Sequence, residues 1–197
     1  MVDCKEYADT LKGLGWVRDV ETYQIGERCV LDFVSEKAER LIDCNDLCYQ
    51  WSSLYEPEEG EESEEEQEEG CLEVCEDTKK AYVKGSVEVN SNTGVVMSST
   101  IPIDCTKIFG DVSETYDMDY EEAQEYMDKT FEKVSGKFER GGCGPLPETT
   151  DWIHSHEFVR GHTGGAFEPE EDLPLICYLH PNGCTLNNLV KVLREVV

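Results

Sequence analysis

The residues best equipped for chemistry lie in Asp151-Trp152-Ile153-His154-Ser155-His156, and in Asp172 downstream. On an extended strand, positions two apart share a face, so His154 and His156 would present both imidazoles to one side. Two neutral imidazoles and one carboxylate can hold a zinc ion with one coordination position left open for water. His154, His156 and Asp172 are therefore the candidate metal ligands. The competing reading is an ordinary polar strand face. Three of the four histidines (His154, His156 and His162) fall within nine positions, ahead of the acidic turn Glu168-Pro169-Glu170-Glu171-Asp172. His162, in Gly161-His162-Thr163-Gly164-Gly165, is either a substitute third ligand or polar loop surface.

The cysteines form two further constellations. Cys44/Cys48 and Cys71/Cys75 are twin Cys-x3-Cys units flanking a glutamate run. On helices, positions i and i+4 share a face, so two disulfides could staple a helical hairpin. A four-cysteine metal site and small buried thiols are the alternatives. Cys177-x2-His180-x3-Cys184 has metal-type residues too, but its cysteines straddle a strand and an Asn-Gly turn, which favours packing.

Positioning these residues requires elements that the pattern outlines. Arg28 to Val34 reads as a strand, and Ser35 can cap a helix to about Tyr49, with Ala38, Leu41, Ile42 and Leu47 or Cys48 inside. Gln50-Trp51-Ser52-Ser53-Leu54-Tyr55 is compatible with a short buried strand. Val83, Gly85, Val87 and Val89 alternate with polar residues, Asn90 to Gly94 turns the chain, and Val95 to Ile103 returns as a hairpin. Asp119 with Glu122 resembles a capping box for a helix whose inner face is Ala123, Tyr126, Met127, Thr130, Val134 and Phe138. Gly141-Gly142-Cys143-Gly144-Pro145 ends it, before the His-x-His strand. Leu175 to Leu179 is a further strand, Pro181-Asn182-Gly183 a tight turn, and Thr185 the cap of a last helix buried through Leu186, Leu189, Val190 and Leu193. Helices and antiparallel hairpins in this irregular order define an α+β fold.

Composition bounds the function. The 197 residues carry a formal charge of −27, which excludes a basic nucleic-acid groove and makes any electrostatic partner basic. Ten glutamates lie between Glu56 and Glu69, so the remainder still carries −17. That run repels itself and offers nothing apolar to bury, so it reads as a disordered insertion over 56–70. It could also act as a charge mimic or decoy for a basic protein. No apolar run is long enough to span a membrane, and the first residues lack the pattern of a secretory signal. Ten cysteines without such a signal imply reduced thiols in a cytoplasmic protein.

Taken in order, helix, short strand, hairpin, helix, Trp152-Ile153-His154-Ser155-His156 and a later acid resemble the JAMM/MPN (JAB) metallopeptidase domain, in its prokaryotic and phage-type branch. Thr115 to Asp119 leading into Glu125-Tyr126-Met127, and Ala166-Phe167 spaced before Asp172-Leu173, are similar to that branch too. The resemblance covers residues 36 to 184. It implies a mixed sheet with flanking helices, an N-terminal extension over 1–35 packed on a domain at 36–197, zinc on His154, His156 and Asp172, and a protein tail or ubiquitin-like conjugate as substrate. The sequence departs from the family where its chemistry sits. Gln50 stands in place of the glutamate that takes the proton from metal-bound water, and an amide cannot accept it. Pro169 stands in place of the serine that donates to the oxyanion, a loss worth about 2.7–4 kcal/mol of barrier. Glu157 replaces the proline after the histidine pair. Glu73, Glu157 or Glu168 could supply the missing carboxylate. The resemblance thus implies a divergent metallopeptidase-like domain with its metal ligands kept and its catalysis in question. An acidic interaction protein that binds a basic partner through Glu56–Glu69 is the alternative.

Overall fold

Short polar side chains set where the helices begin. Asp3, Ser35, Asp119 and Thr185 each sit in extended backbone and accept a hydrogen bond from an N–H in the first turn that follows, satisfying donors with no partner inside the helix. The structure, a computed structural model, describes residues 2–53, 64–104, 118–144, 146, 151–154 and 175–197. In chain order the elements are α1 (Cys4–Lys12), β1 (Val17–Ile25), β2 (Arg28–Ser35), α2 (Glu36–Glu39), α3 (Cys44–Ser53), α4 (Glu64–Tyr82), β3 (Lys84–Asn90) and β4 (Val96–Asp104). They continue with α5 (Tyr120–Arg140), β5 (Asp151–His154), β6 (Leu175–Leu179) and α6 (Leu186–Val196).

The six strands form one sheet in the order β1-β2-β3-β4-β6-β5. Every pairing in it is antiparallel, where a mixed sheet was expected. Tight turns join β1 to β2 and β3 to β4, a connection open only to antiparallel neighbours. Strand alternation splits the core in two. Leu31 and Phe33 of β2, Val87 and Val89 of β3, Ile101 and Ile103 of β4, and Leu179 of β6 pack with α1, α5 and α6. Val34, Ile176 and Tyr178 belong to a smaller cluster with α2, α3 and α4. Phe33 lies directly opposite Gly85, and only glycine leaves room for its ring, because a Cβ at 85 would meet Phe33 Cζ at 2.3 Å.

Four expectations need correction. The helix from Ser35 to Tyr49 is two helices, because Asp43 starts a new one: its carboxylate accepts from Asp46 N at 3.2 Å and its carbonyl from Leu47 N at 3.0 Å. Gln50 to Ser53 therefore continue α3 rather than forming a strand. The second half of the acidic run is ordered, with Glu64–Glu69 forming the first turns of α4. Glutamate is a good helix former, and acids at the N-terminal end with Lys79 and Lys80 in the last turn complement the helix dipole. Residues 1–35, read as an extension, supply α1 and two strands of the sheet, β2 pairing with β3 from Arg28 to Val34.

Candidate functional site

The cysteines are where the structure adds most to the sequence. Cys44 pairs with Cys75 and Cys48 with Cys71, each with Cα atoms 5.8 Å apart. Cys44 and Cys48 lie one turn apart on α3, as Cys71 and Cys75 do on α4. The partner order is reversed along the chain, so the two helices run antiparallel as a doubly bridged hairpin. Cys4–Cys29 ties α1 to β2, and Cys143–Cys184 ties the end of α5 to the start of α6. Cys177 is disulfide-bonded as well, and no described cysteine is free. The expectation of reduced thiols is therefore overturned. So is the four-cysteine metal site, since each of those sulfurs is bonded to another sulfur. The same holds for Cys177-x2-His180-x3-Cys184, whose His180 Nδ1 lies 2.9 Å from the Ser99 carbonyl oxygen.

The hairpin carries an uneven charge. α4 holds eight acidic residues and two basic ones, with five of the acids in its first six positions. Glu66, Glu69, Glu73, Glu76 and Asp77 are exposed. At the far end Lys80 Nζ lies 2.9 Å from Asp77 Oδ1, and that hydrogen bond raises the lysine pKa. Both groups are exposed, so the pair adds little stability. Glu73, one candidate for a strand-start carboxylate, lies within α4 instead.

Of the metal-site candidates, His154 ends β5, opposite Leu175 of β6, and Gln50 lies within α3. His156, Glu157, His162, Glu168, Pro169 and Asp172 fall outside the described residues. Among the described residues no group of three or more His, Cys, Asp or Glu is placed to hold a metal ion. A cleft between α1, the β3–β4 turn and the start of α6 is lined by Glu6, Tyr7, Thr10, Thr93 and Leu186, among others, with no histidine or cysteine. No described helix is long and apolar enough to cross a membrane. The twin spacing was the sequence signal for the hairpin; the pairing of Cys4 with Cys29 and of Cys143 with Cys184 had none.

Comparison with protein-family models, with curated proteins and with solved structures finds no match to this chain.

Proposed function

We propose that this chain is an acidic binding protein that presents its glutamate run on the disulfide-stapled α3–α4 hairpin to a basic partner, in an oxidising compartment. The observation that carries this reading is the clamp itself: Cys44–Cys75 and Cys48–Cys71 hold the helix whose first turns are Glu64–Glu69. A flexible acidic run would lose conformational freedom on binding, whereas a stapled helix has already lost it. The overall charge of −27 would draw a cationic partner in and make binding salt-dependent. Disulfides persist outside the reducing cytosol, so the compartment proposed here differs from the cytoplasmic expectation.

The test is titration with a lysine-rich peptide. Glu64, Glu65, Glu66, Glu68 and Glu69 are replaced by glutamine in one variant. In the other, five glutamates of α5 are replaced (Glu121, Glu122, Glu125, Glu132 and Glu139). Both variants have the same net charge. The reading expects about a tenfold loss from the first alone. Equal affinities in the two variants would show that the hairpin is not the binding surface.

A second reading keeps the resemblance to JAMM/MPN metallopeptidases, and what supports it is that the His-x-His stretch enters a strand, β5, ending at His154. His154, His156 and Asp172 would hold zinc, which supplies a polarised water for attack on a peptide or isopeptide carbonyl of a ubiquitin-like conjugate. Metal content measured by mass spectrometry in the native protein and in His154→Ala/His156→Ala decides it. Zinc near one equivalent, lost in the variant, would support the site and justify peptidase assays on Gln50→Glu. A metal-free native protein purified without chelators would remove this reading.

A further inference from the structure

The cleft between α1, the β3–β4 turn and the start of α6 has three walls, and each is pinned. Two residues before Glu6, Cys4 ties α1 to β2 through Cys29. Cys184, bonded to Cys143, fixes the chain just ahead of Thr185, the N-cap of α6. The turn is held from both sides. Asn90 Oδ1 accepts from the Asn92 and Thr93 N–H groups, and the Gly94 carbonyl accepts from Leu186 N at 3.0 Å. A site formed in advance costs a ligand less ordering than a mobile one. The cleft encloses about 340 Å³, which lies in the range of small-molecule sites.

Its lining is chemically one-sided. Among the described residues around it, Glu6 is the only charged side chain. Tyr7 and Leu186 supply buried apolar surface, and Asn92 and Asn187 add amides. Tyr7 Oη already donates to the Ser91 carbonyl at 3.3 Å, so what it offers is its ring. Gly94, at φ 72°, puts no side chain beside that ring, where a Cβ would stand 3.6 Å from the hydroxyl oxygen. The start of α6 is not laid open to an anion. Its Leu186 N–H is taken by Gly94, the Asn188 N–H by Thr185 Oγ1 at 3.3 Å and the Leu189 N–H by the Thr185 carbonyl at 3.0 Å.

We propose that this cleft binds a small organic cation, a primary amine attached to a compact apolar body. The ammonium would pair with the Glu6 carboxylate. The apolar body would lie against Tyr7 and Leu186, and the Asn92 and Asn187 amides would hydrogen-bond any hydroxyl it carries. The overall charge of −27 would gather cations around the chain and oppose an anionic ligand. This site is separate from the α3–α4 hairpin and stands or falls without it.

The experiment titrates the full, oxidised chain with tyramine and with para-ethylphenol, the same body without the amine, and follows amide chemical shifts. Tyramine should move the signals of 2–10, 92–94 and 185–187, and para-ethylphenol should bind about tenfold more weakly. Glu6→Gln, with an unchanged melting temperature, should weaken tyramine binding about tenfold. Glu132→Gln, the same charge change on α5, should leave it as it is. Shifts confined to 64–82, or none at millimolar tyramine, would overturn the proposal. So would equal affinity for the two probes, or equal losses in the two variants. Nα-acetyl-lysine methylamide serves as a third probe. Tighter binding of it than of tyramine would assign the cleft to a lysine side chain of a protein and overturn the free amine.

Discussion

Cys44 and Cys75 are joined one helical turn from the bridge between Cys48 and Cys71, and among the side chains described in these two helices the four cysteines are four of the five that are buried. Apart from the cysteines, α3 contributes Leu47 to the buried cluster, while Leu72 of α4 is only partly buried and Val74 is 45% exposed. An acidic helix with so little apolar surface cannot hold itself against a neighbour. Closing the 31-residue span of Cys44–Cys75 is worth about 3–4 kcal/mol by chain entropy. The nested Cys48–Cys71 link adds less, because its ends are already close. Replacing all four cysteines by serine should therefore unfold α4 while the sheet, α5 and α6 stay folded. Circular dichroism should show the lost helix, and hydrogen exchange should locate it at 64–82. Undiminished protection there would refute the dependence on disulfides.

Phe33 and Gly85 supply a sharper stability test. Phe33 is 1% exposed and its ring fills the space where a residue 85 side chain would stand. Gly85→Ala should cost about 1–3 kcal/mol through overpacking, measured by urea denaturation. Adding Phe33→Leu should recover part of that loss, because the clash is with ring atoms. Two losses that simply add would mean the residues do not interact.

What the sequence disclosed were features written in local chemistry. The caps at Ser35, Asp119 and Thr185 and the strand Leu175–Leu179 stand where side-chain type alone placed them. The hairpin turn is legible for the same reason: Asn90 Oδ1 accepts from the Asn92 and Thr93 N–H groups. The misses follow from structure that local pattern does not encode. β1 is exposed on both faces beyond its bulge, so it shows no alternation. Asp43 sits among helix-compatible residues and so looks like helix interior, although it restarts one. Asp3 with Glu6 carries a cap signal for α1 in its side chains alone. Cysteine pairing depends on which helices meet, which spacing leaves open. For the candidate site, the twin Cys-x3-Cys spacing made the staple conceivable, but only the paired sulfurs distinguish it from a metal site.

Ser35 joins three elements, and this gives a prediction of its own. Its side chain is fully buried, donating to the Pro102 carbonyl at 2.6 Å and accepting from Ala38 N at 3.4 Å. Its own N–H donates to the Val83 carbonyl at 2.9 Å. Ser35→Ala removes the cap of α2 and leaves a buried carbonyl without this donor. The expected cost is about 1–3 kcal/mol, read as a lower urea midpoint with an unchanged slope. A midpoint equal to that of the native protein would show that the hydroxyl is dispensable.

Tyr178 should make the fold sensitive to alkali. Burial is the main cause that pushes its phenol well above the usual tyrosine pKa, with Tyr82 adding to the shift. Its hydroxyl donates to the Tyr82 carbonyl at 2.9 Å, a bond that ionisation destroys. The unfolded chain loses this proton near pH 10, while the folded chain retains it to higher pH. Between those two values the folded state binds more protons, so stability falls as pH rises. Below about pH 10 the contribution is fully present. Tyr178→Phe should cost about 1 kcal/mol at neutral pH for the lost hydrogen bond, yet flatten the decline in stability above pH 10. Tyr23→Phe serves as the comparison, since Tyr23 is also shifted upward, by its hydrogen bond to Glu21, but is exposed. Urea midpoints measured from pH 8 to pH 11 check this. An alkaline decline equally steep in Tyr178→Phe and the native protein would place the sensitive group elsewhere.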